Sequence, residues 1–408
     1  MIALVAPAMA LAAALAAAPS SGGTCQQCHA TLGGDLAKPA EAFTGDVHDQ
    51  PGLGCAACHG GDPTSDDPTV AMSPAKGFRG VPARRDIPRL CGGCHADVTF
   101  IKRYEPNLPT DQLARYETSR HAQELAKGDQ RAAVCSSCHH AHGILHVTDA
   151  RSPVYPTHVV ATCATCHARP GGSGPVERWR LSVHAAALAA GDLSAPTCPR
   201  CHGAHGAVPP GIESVPAVCG QCHPQNMDLF RASPHQAAFQ AASIGACEAC
   251  HGHHDVVRPT DARVGLGAGS ACAACHSAAD AGGKAATQIS AALGQATALA
   301  KEATTQVDVA RARGMLMTDA LVALESAHQQ IVEARTLVHT VDPAQVESKT
   351  KAADTAADKA LAEARRAFGE IRFRRRGLLV ALALIVVAIV ALVLKIRDVD
   401  ASRSARRP

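Results

Sequence analysis

The sequence predicts a mostly α-helical protein with many loops. A loop-rich amino-terminal region leads into an Ala-rich helical hairpin and one carboxy-terminal transmembrane helix. Three observations predict this plan. A Cys-x-x-Cys-His motif recurs nine times up to His276, the composition changes sharply near Ala281, and residues 377–394 form an unbroken apolar run. The expected boundaries are 1–20 for a signal peptide, 21–280 for the motif-bearing domain, 281–376 for the hairpin stalk, 377–395 for the membrane helix and 396–408 for a tail.

Residues 2–18 are almost wholly apolar and end Ala16-Ala17-Ala18-Pro19. This reads as a secretory signal with an Ala-x-Ala-type cleavage site, although no basic residue opens it. The run is short for an uncleaved membrane anchor.

All 18 cysteines belong to the motifs. These are Cys25-Cys28-His29, Cys55-Cys58-His59, Cys91-Cys94-His95, Cys135-Cys138-His139, Cys163-Cys166-His167, Cys198-Cys201-His202, Cys219-Cys222-His223, Cys247-Cys250-His251 and Cys272-Cys275-His276. The spacing is the haem-attachment signature. Two thiols add across the two vinyl groups of a haem, and the following imidazole lies under the iron as its proximal ligand. A redox dithiol, half a zinc site or a disulfide framework would leave nine histidines unexplained. The expected cofactor is haem c, nine copies, each covalently attached.

Aromatic residues make up only 3% of the chain, too few for an ordinary core. Porphyrins would take their place, with short helices and loops wrapped around them, and the region should not fold without haem. The net charge of +3 gives no sign of a nucleic-acid partner. Arg84, Arg85 and Arg89 are expected to pair with haem propionates.

Three segments repeat one plan: a Ser-x-His, a motif with a further histidine three residues on, then a second motif. The leading histidines are His121, His184 and His235, and the trailing ones are His142, His205 and His254. A degraded fourth copy begins at His48 and carries Asp62 where the others have histidine. Each repeat thus supplies two extra imidazoles for two irons.

These doubled motifs resemble those of multihaem cytochromes, the superfamily that includes class III cytochromes c, over about residues 24–277. The resemblance implies mostly bis-histidine iron and electron transfer, with His142, His205 and His254 each ligating a neighbouring haem. By the same matching His48, His121, His184 and His235 are distal ligands. His158, five residues before Cys163, is the best of a reserve that includes His140, His146 and His253. The Cys25, Cys55 and Cys91 haems have the fewest candidates. Met72, Lys76 or a stalk histidine is expected to serve one of them, or one iron is open.

Past Ala281 cysteine and proline give way to Ala, Gln, Glu, Lys and Arg. Apolar positions recur at alternating steps of three and four from Met317 to Val338 and again from Val346 to Ile371, predicting two packed antiparallel helices. Asp342-Pro343 marks the start of the second. His328 and His339 flank the first stripe, and either could reach an iron.

The run 377–394 is long enough to cross a bilayer as a helix. Basic residues flank both ends, so charge alone does not orient it. Haem c is attached outside the cytoplasm, which puts the motif domain on the periplasmic face of the cytoplasmic membrane and the tail inside. No nucleophile, phosphate loop or nicotinamide site is visible. The favoured activity is an electron relay in anaerobic respiration, fed by the quinol pool or a quinol-oxidising complex and delivering to a periplasmic redox partner. The alternative is a reductase of a small nitrogen or sulfur oxyanion at one open iron. Every proximal residue is histidine, which argues against the lysine-ligated nitrite reductases.

Overall fold

The computed structural model describes residues 23–404, apart from residues 50, 170, 212 and 213. The expected signal peptide, residues 1–20, lies outside the described residues. Among the described residues the chain forms helices, turns and loops, and no strand. It divides into two compact units. One comprises residues up to 211 together with 253–257, and the other comprises 212–252 and 258–408.

The first unit is built of helices no longer than ten residues. Its buried apolar side chains are few and scattered. The main cluster, Val159, Val160 and Val176, packs against Trp179, Cys163 and Cys198. Such a core is too small to hold this many loops together on hydrophobic burial alone.

Several motifs are themselves one turn of helix: Cys55–His59, Cys135–His139 and Cys198–His202, with Ala246–His251 in the second unit. Helical spacing puts residues three and four apart on one face, so both thiols and the imidazole project together. Each of these helices is stopped by the next residue. Gly60, His140, Gly203 and Gly252 have φ of 70°, 69°, 85° and 73° with ψ near 180°. That backbone region is essentially reserved for glycine. At Gly60 a Cβ would also strike the Gly77 carbonyl. The reversal sends the chain back, so the residue three beyond the motif leaves in a new direction. At His140 a histidine occupies the strained conformation that the other three positions give to glycine.

The leading histidines are placed by serine. Ser119 and Ser182 are buried N-caps whose hydroxyls accept from the amides of Ala122 (3.0 Å) and Ala185 (3.1 Å). The capped helices, Arg120–Ala126 and Val183–Ala189, then carry His121 and His184 at their second position. Ser233 opens the helix Pro234–Ala241 and places His235 identically, its hydroxyl donating to the Phe230 carbonyl at 2.7 Å.

The stalk contains the two expected arms, Thr318–Leu337 and Pro343–Ser404, and a further helix, Ala281–Ala312, that lies along both. Ala300, Ala303, Val307, Ala320, Leu324, Ala357, Ala360 and Ala364 are buried along the shared axis. Alanine at steps of three and four lets three helices approach closely, and one long dry seam results. Gly314, at φ 81°, turns the chain between the first two helices, and Arg313 covers the Phe368 ring there (5.4 Å to its centroid). The last helix continues unbroken through the apolar run, where Leu379, Leu384, Val387 and Leu392 are all more than half exposed. The helix is long and apolar enough to cross a membrane, and it is a candidate anchor. The expected tail from 396 continues that helix as far as Ser404.

Replacing His140 with glycine should relieve the strain after the Cys135 motif and stabilise the loaded protein by about 1–3 kcal/mol. The urea midpoint, followed by far-ultraviolet circular dichroism, should rise in H140G. A lowered midpoint would mean that the imidazole makes compensating contacts.

Candidate functional site

Seven motif histidines stand opposite a second imidazole at nearly one separation. The ring centroids are 6.1 Å apart for His95 and His48, 6.1 Å for His59 and His142, and 6.1 Å for His167 and His121. They are 6.2 Å apart for His139 and His205, 6.1 Å for His202 and His254, 6.0 Å for His276 and His235, and 6.0 Å for His251 and His339. Rings that simply stack come closer. Two imidazole nitrogens each about 2 Å from one metal ion put their ring centres about 6 Å apart. The donor set therefore fits an iron held between two histidines, with the motif cysteines beside it. Those 18 cysteines are all free thiols, available for thioether bonds.

Burial supports the same chemistry. It pushes the imidazoles of His95, His121, His139, His142, His205, His235, His251 and His254 below the ordinary histidine value, with the facing or neighbouring histidine adding to the effect in most of them. A neutral imidazole keeps the lone pair that a metal needs.

In several of these rings the second nitrogen is also held, which fixes the ring's orientation. Nδ1 of His59 donates to the Gly80 carbonyl (2.8 Å) and that of His202 to Val208 (3.1 Å). Two rings instead donate to a carboxylate. His48 meets Asp46 at 2.8 Å, and His276 meets Asp280 at 3.0 Å. Asp46 is buried and also accepts from the amides of His48 (2.9 Å) and Ile144 (2.7 Å). Burial alone would raise its carboxyl, but these hydrogen bonds outweigh burial and hold it below the usual carboxylate range. Asp280 doubles as N-cap of the first stalk helix, accepting from Gly283 at 2.8 Å. Gly282 lets that helix start so close to His276, since a Cβ there would enter the imidazole.

Neighbouring motifs meet through their cysteines. The first thiols of consecutive motifs lie close together as Cys91 with Cys135, Cys163 with Cys198, and Cys219 with Cys247, and their mutual interaction raises the first of each pair and lowers the second. The carrying helices pack together as well. Cys25 lies near Cys55, Cys58 near Cys94, Cys138 near Cys166, and Cys250 near Cys272. Within each unit the motifs are therefore neighbours in sequence order. All of these contacts except that of Cys250 with Cys272 join first to first or second to second cysteines.

Six of the expected distal residues, His48, His121, His142, His205, His235 and His254, face a motif histidine. The Cys55 and Cys91 motifs, which looked poorest in the sequence, are among those served. His184 is half-buried at the same helix position as His121 and His235. His158 is placed elsewhere: it is exposed, donates to the Ser152 carbonyl (3.2 Å), and lies against Tyr155. No motif imidazole faces it among the described residues. His29 is half-buried and faces the Leu36 carbonyl (3.2 Å), with no second imidazole opposite it among the described residues. Lys76 pairs with Asp62 (3.5 Å), and Met72 is exposed. Arg84 binds the Ala132 carbonyl (3.0 Å) and the Ser137 hydroxyl (2.9 Å), bracing the Cys135 motif. The residue that sequence reading ranked too low is His339; its only signal was a shortage of ligands.

The motifs and their facing histidines define a multihaem cytochrome of the c type. Residues 47–168 match the family described as cytochrome c3. The chain is 26% identical over 171 residues to the C-type polyheme cytochrome OmcC of Geobacter sulfurreducens, covering 37% of this chain and 21% of that protein. The C-type polyheme cytochrome OmcB of the same species is 25% identical over 192 residues, or 38% and 22%. The chain thus spans about a fifth of the length of the curated relatives it matches. No solved structure matches it.

A carboxylate on Nδ1 makes an imidazole a stronger donor and favours ferric iron. Asp46→Asn should therefore raise the midpoint potential of one haem, read by EPR-monitored redox titration. The mutation should also remove a stabilising contribution that is present above the ordinary carboxylate pKa of about 3.9 and lost as pH falls through the lower folded value. The stability gap between wild type and D46N should therefore close in acid. Superimposable redox titrations would remove Asp46 from any tuning role.

Proposed function

We propose that this protein is a membrane-anchored electron relay of nine covalently attached haems on the periplasmic face of the cytoplasmic membrane. The observation that carries the reading is the repeated facing of imidazoles at 6.0–6.2 Å. The cysteines of each motif form the thioether links, and its histidine is the proximal ligand. His48, His121, His142, His205, His235 and His254 are distal ligands, and His184 takes the same role by its position in the repeat. Haem would supply a one-electron couple at each position, tuned by axial ligand and surroundings. Two histidines per iron suit a low potential and respiration without oxygen.

The cysteine contacts between successive motifs support a relay whose order in each unit follows the sequence. The last helix supports an anchor, with the region beyond Leu394 inside. From Pro343 to Gly377 that helix rises about 50 Å at 1.5 Å per residue. The motif beside its start is therefore held well clear of the bilayer. This favours a redox protein, or a membrane complex that projects from the lipid, over direct oxidation of quinol within it.

A second reading, reduction of a small oxyanion at the Cys25 haem, is favoured by His29 alone, which has no facing imidazole among the described residues. Low-temperature EPR on the ferric protein, quantified against pyridine haemochrome, separates the two. The relay reading expects one haem per motif, all low-spin and unmoved by nitrite or cyanide. A high-spin iron amounting to about one site that binds nitrite would move the assignment to the reductase. Fewer than one haem per motif would overturn both.

A further inference from the structure

We propose that His339, carried on the stalk, is the distal ligand of the Cys247 iron, so that the stalk is a structural part of the haem row. This rests on the bis-histidine reading above and extends it to a residue outside the motif region.

The pairing follows a rule that runs out before the eighth motif. His142, after the fourth motif, faces the second; His205, after the sixth, faces the fourth; His254, after the eighth, faces the sixth. The eighth would need a histidine after a tenth motif, and the sequence has nine. His339 stands in that place. Its ring centre is 6.0 Å from that of His251, and the planes differ by 22°, against 13–16° in the other trailing pairs.

The local structure is built to present it. His339 lies in the tight turn Val338–Thr340 between the second and third stalk helices. Its Nδ1 donates to the Thr336 carbonyl at 2.8 Å, which leaves Nε2 with a lone pair. The Thr340 hydroxyl donates to the Leu337 carbonyl (2.7 Å) and accepts from the Asp342 amide (3.2 Å). Val341 follows at φ 50°, a conformation that a β-branched residue adopts only when its surroundings impose it.

A second linkage ties the stalk helix that precedes this turn to the same motif. One turn before His339, Arg335 forks onto Asp261 at 2.8 and 2.9 Å. In the turn Asp261–Arg263, the Arg263 guanidinium donates to the Cys250 carbonyl. The stalk therefore grips the Cys247 motif through its backbone as well as from the axial side. His328, on the same helix, is exposed.

The test compares H339A, H339M and H328A as full-length loaded proteins. H339A should keep nine haems by pyridine haemochrome and convert about one in nine to high-spin ferric iron. Added imidazole should return that iron to low spin. H339M should stay low-spin, gain a thioether-to-iron charge-transfer band, and show one haem with a raised potential. H328A should match wild type. Spectra of H339A and H339M that match wild type, with the haem count intact, overturn the His339 assignment and leave the bis-histidine reading standing. A wild-type protein without haem at Cys247 overturns both.

Discussion

Two imidazoles held about 6 Å apart, too far to touch and at the separation for one metal between them, are the constraint around which the first unit is arranged. In an ordinary domain of this length apolar side chains would fill the interior and fix the loops. Here the helices are no longer than ten residues, the buried apolar residues are few, and the motif histidines and cysteines are half-buried or exposed. Binding energy at the metal must then stand in for burial, as it does in small structural metal domains. Nearly every local feature serves this arrangement. Helical motifs put thiols and imidazole on one face, glycine reversals redirect the next histidine, and buried serine caps start the helices that bring the other.

The stalk solves the opposite problem. Its seam is apolar and made of alanine with a few larger residues, so the three helices pack through their own side chains. A self-supporting rod of that kind can do two things that loops around metal centres cannot. It can hold the Cys247 motif at a set height above a membrane, and it can present one side chain without needing haem of its own.

Much of this was legible in the sequence because its signals are local. The nine motifs need only adjacent residues, and the repeats expose their extra histidines by spacing alone. The heptad-like alanines announce helices that pack on one another. What was not legible depends on approach between distant segments. His158 sits five residues before a cysteine and so looked well placed, yet a turn ending on Tyr155 carries it to the surface. His339 sits 88 residues beyond His251 with no motif near it, and only the folding of the stalk brings the rings together. The helix Ala281–Ala312 was hidden for a different reason: its apolar stripe is mostly alanine, and it gave no stripe distinct enough to assign beside the two stronger ones.

The pairing rule also bears on the eighth motif. A histidine three residues past an even-numbered motif serves the motif two places earlier. Three residues past the second motif stands Asp62, which accepts from the Thr64 hydroxyl (2.7 Å) and pairs with Lys76. At the far end the same rule leaves the eighth motif in want of a ligand. A further motif could supply one only by adding another haem, which would need a cap in turn. His339, in the turn between two stalk helices, would supply one without a further haem.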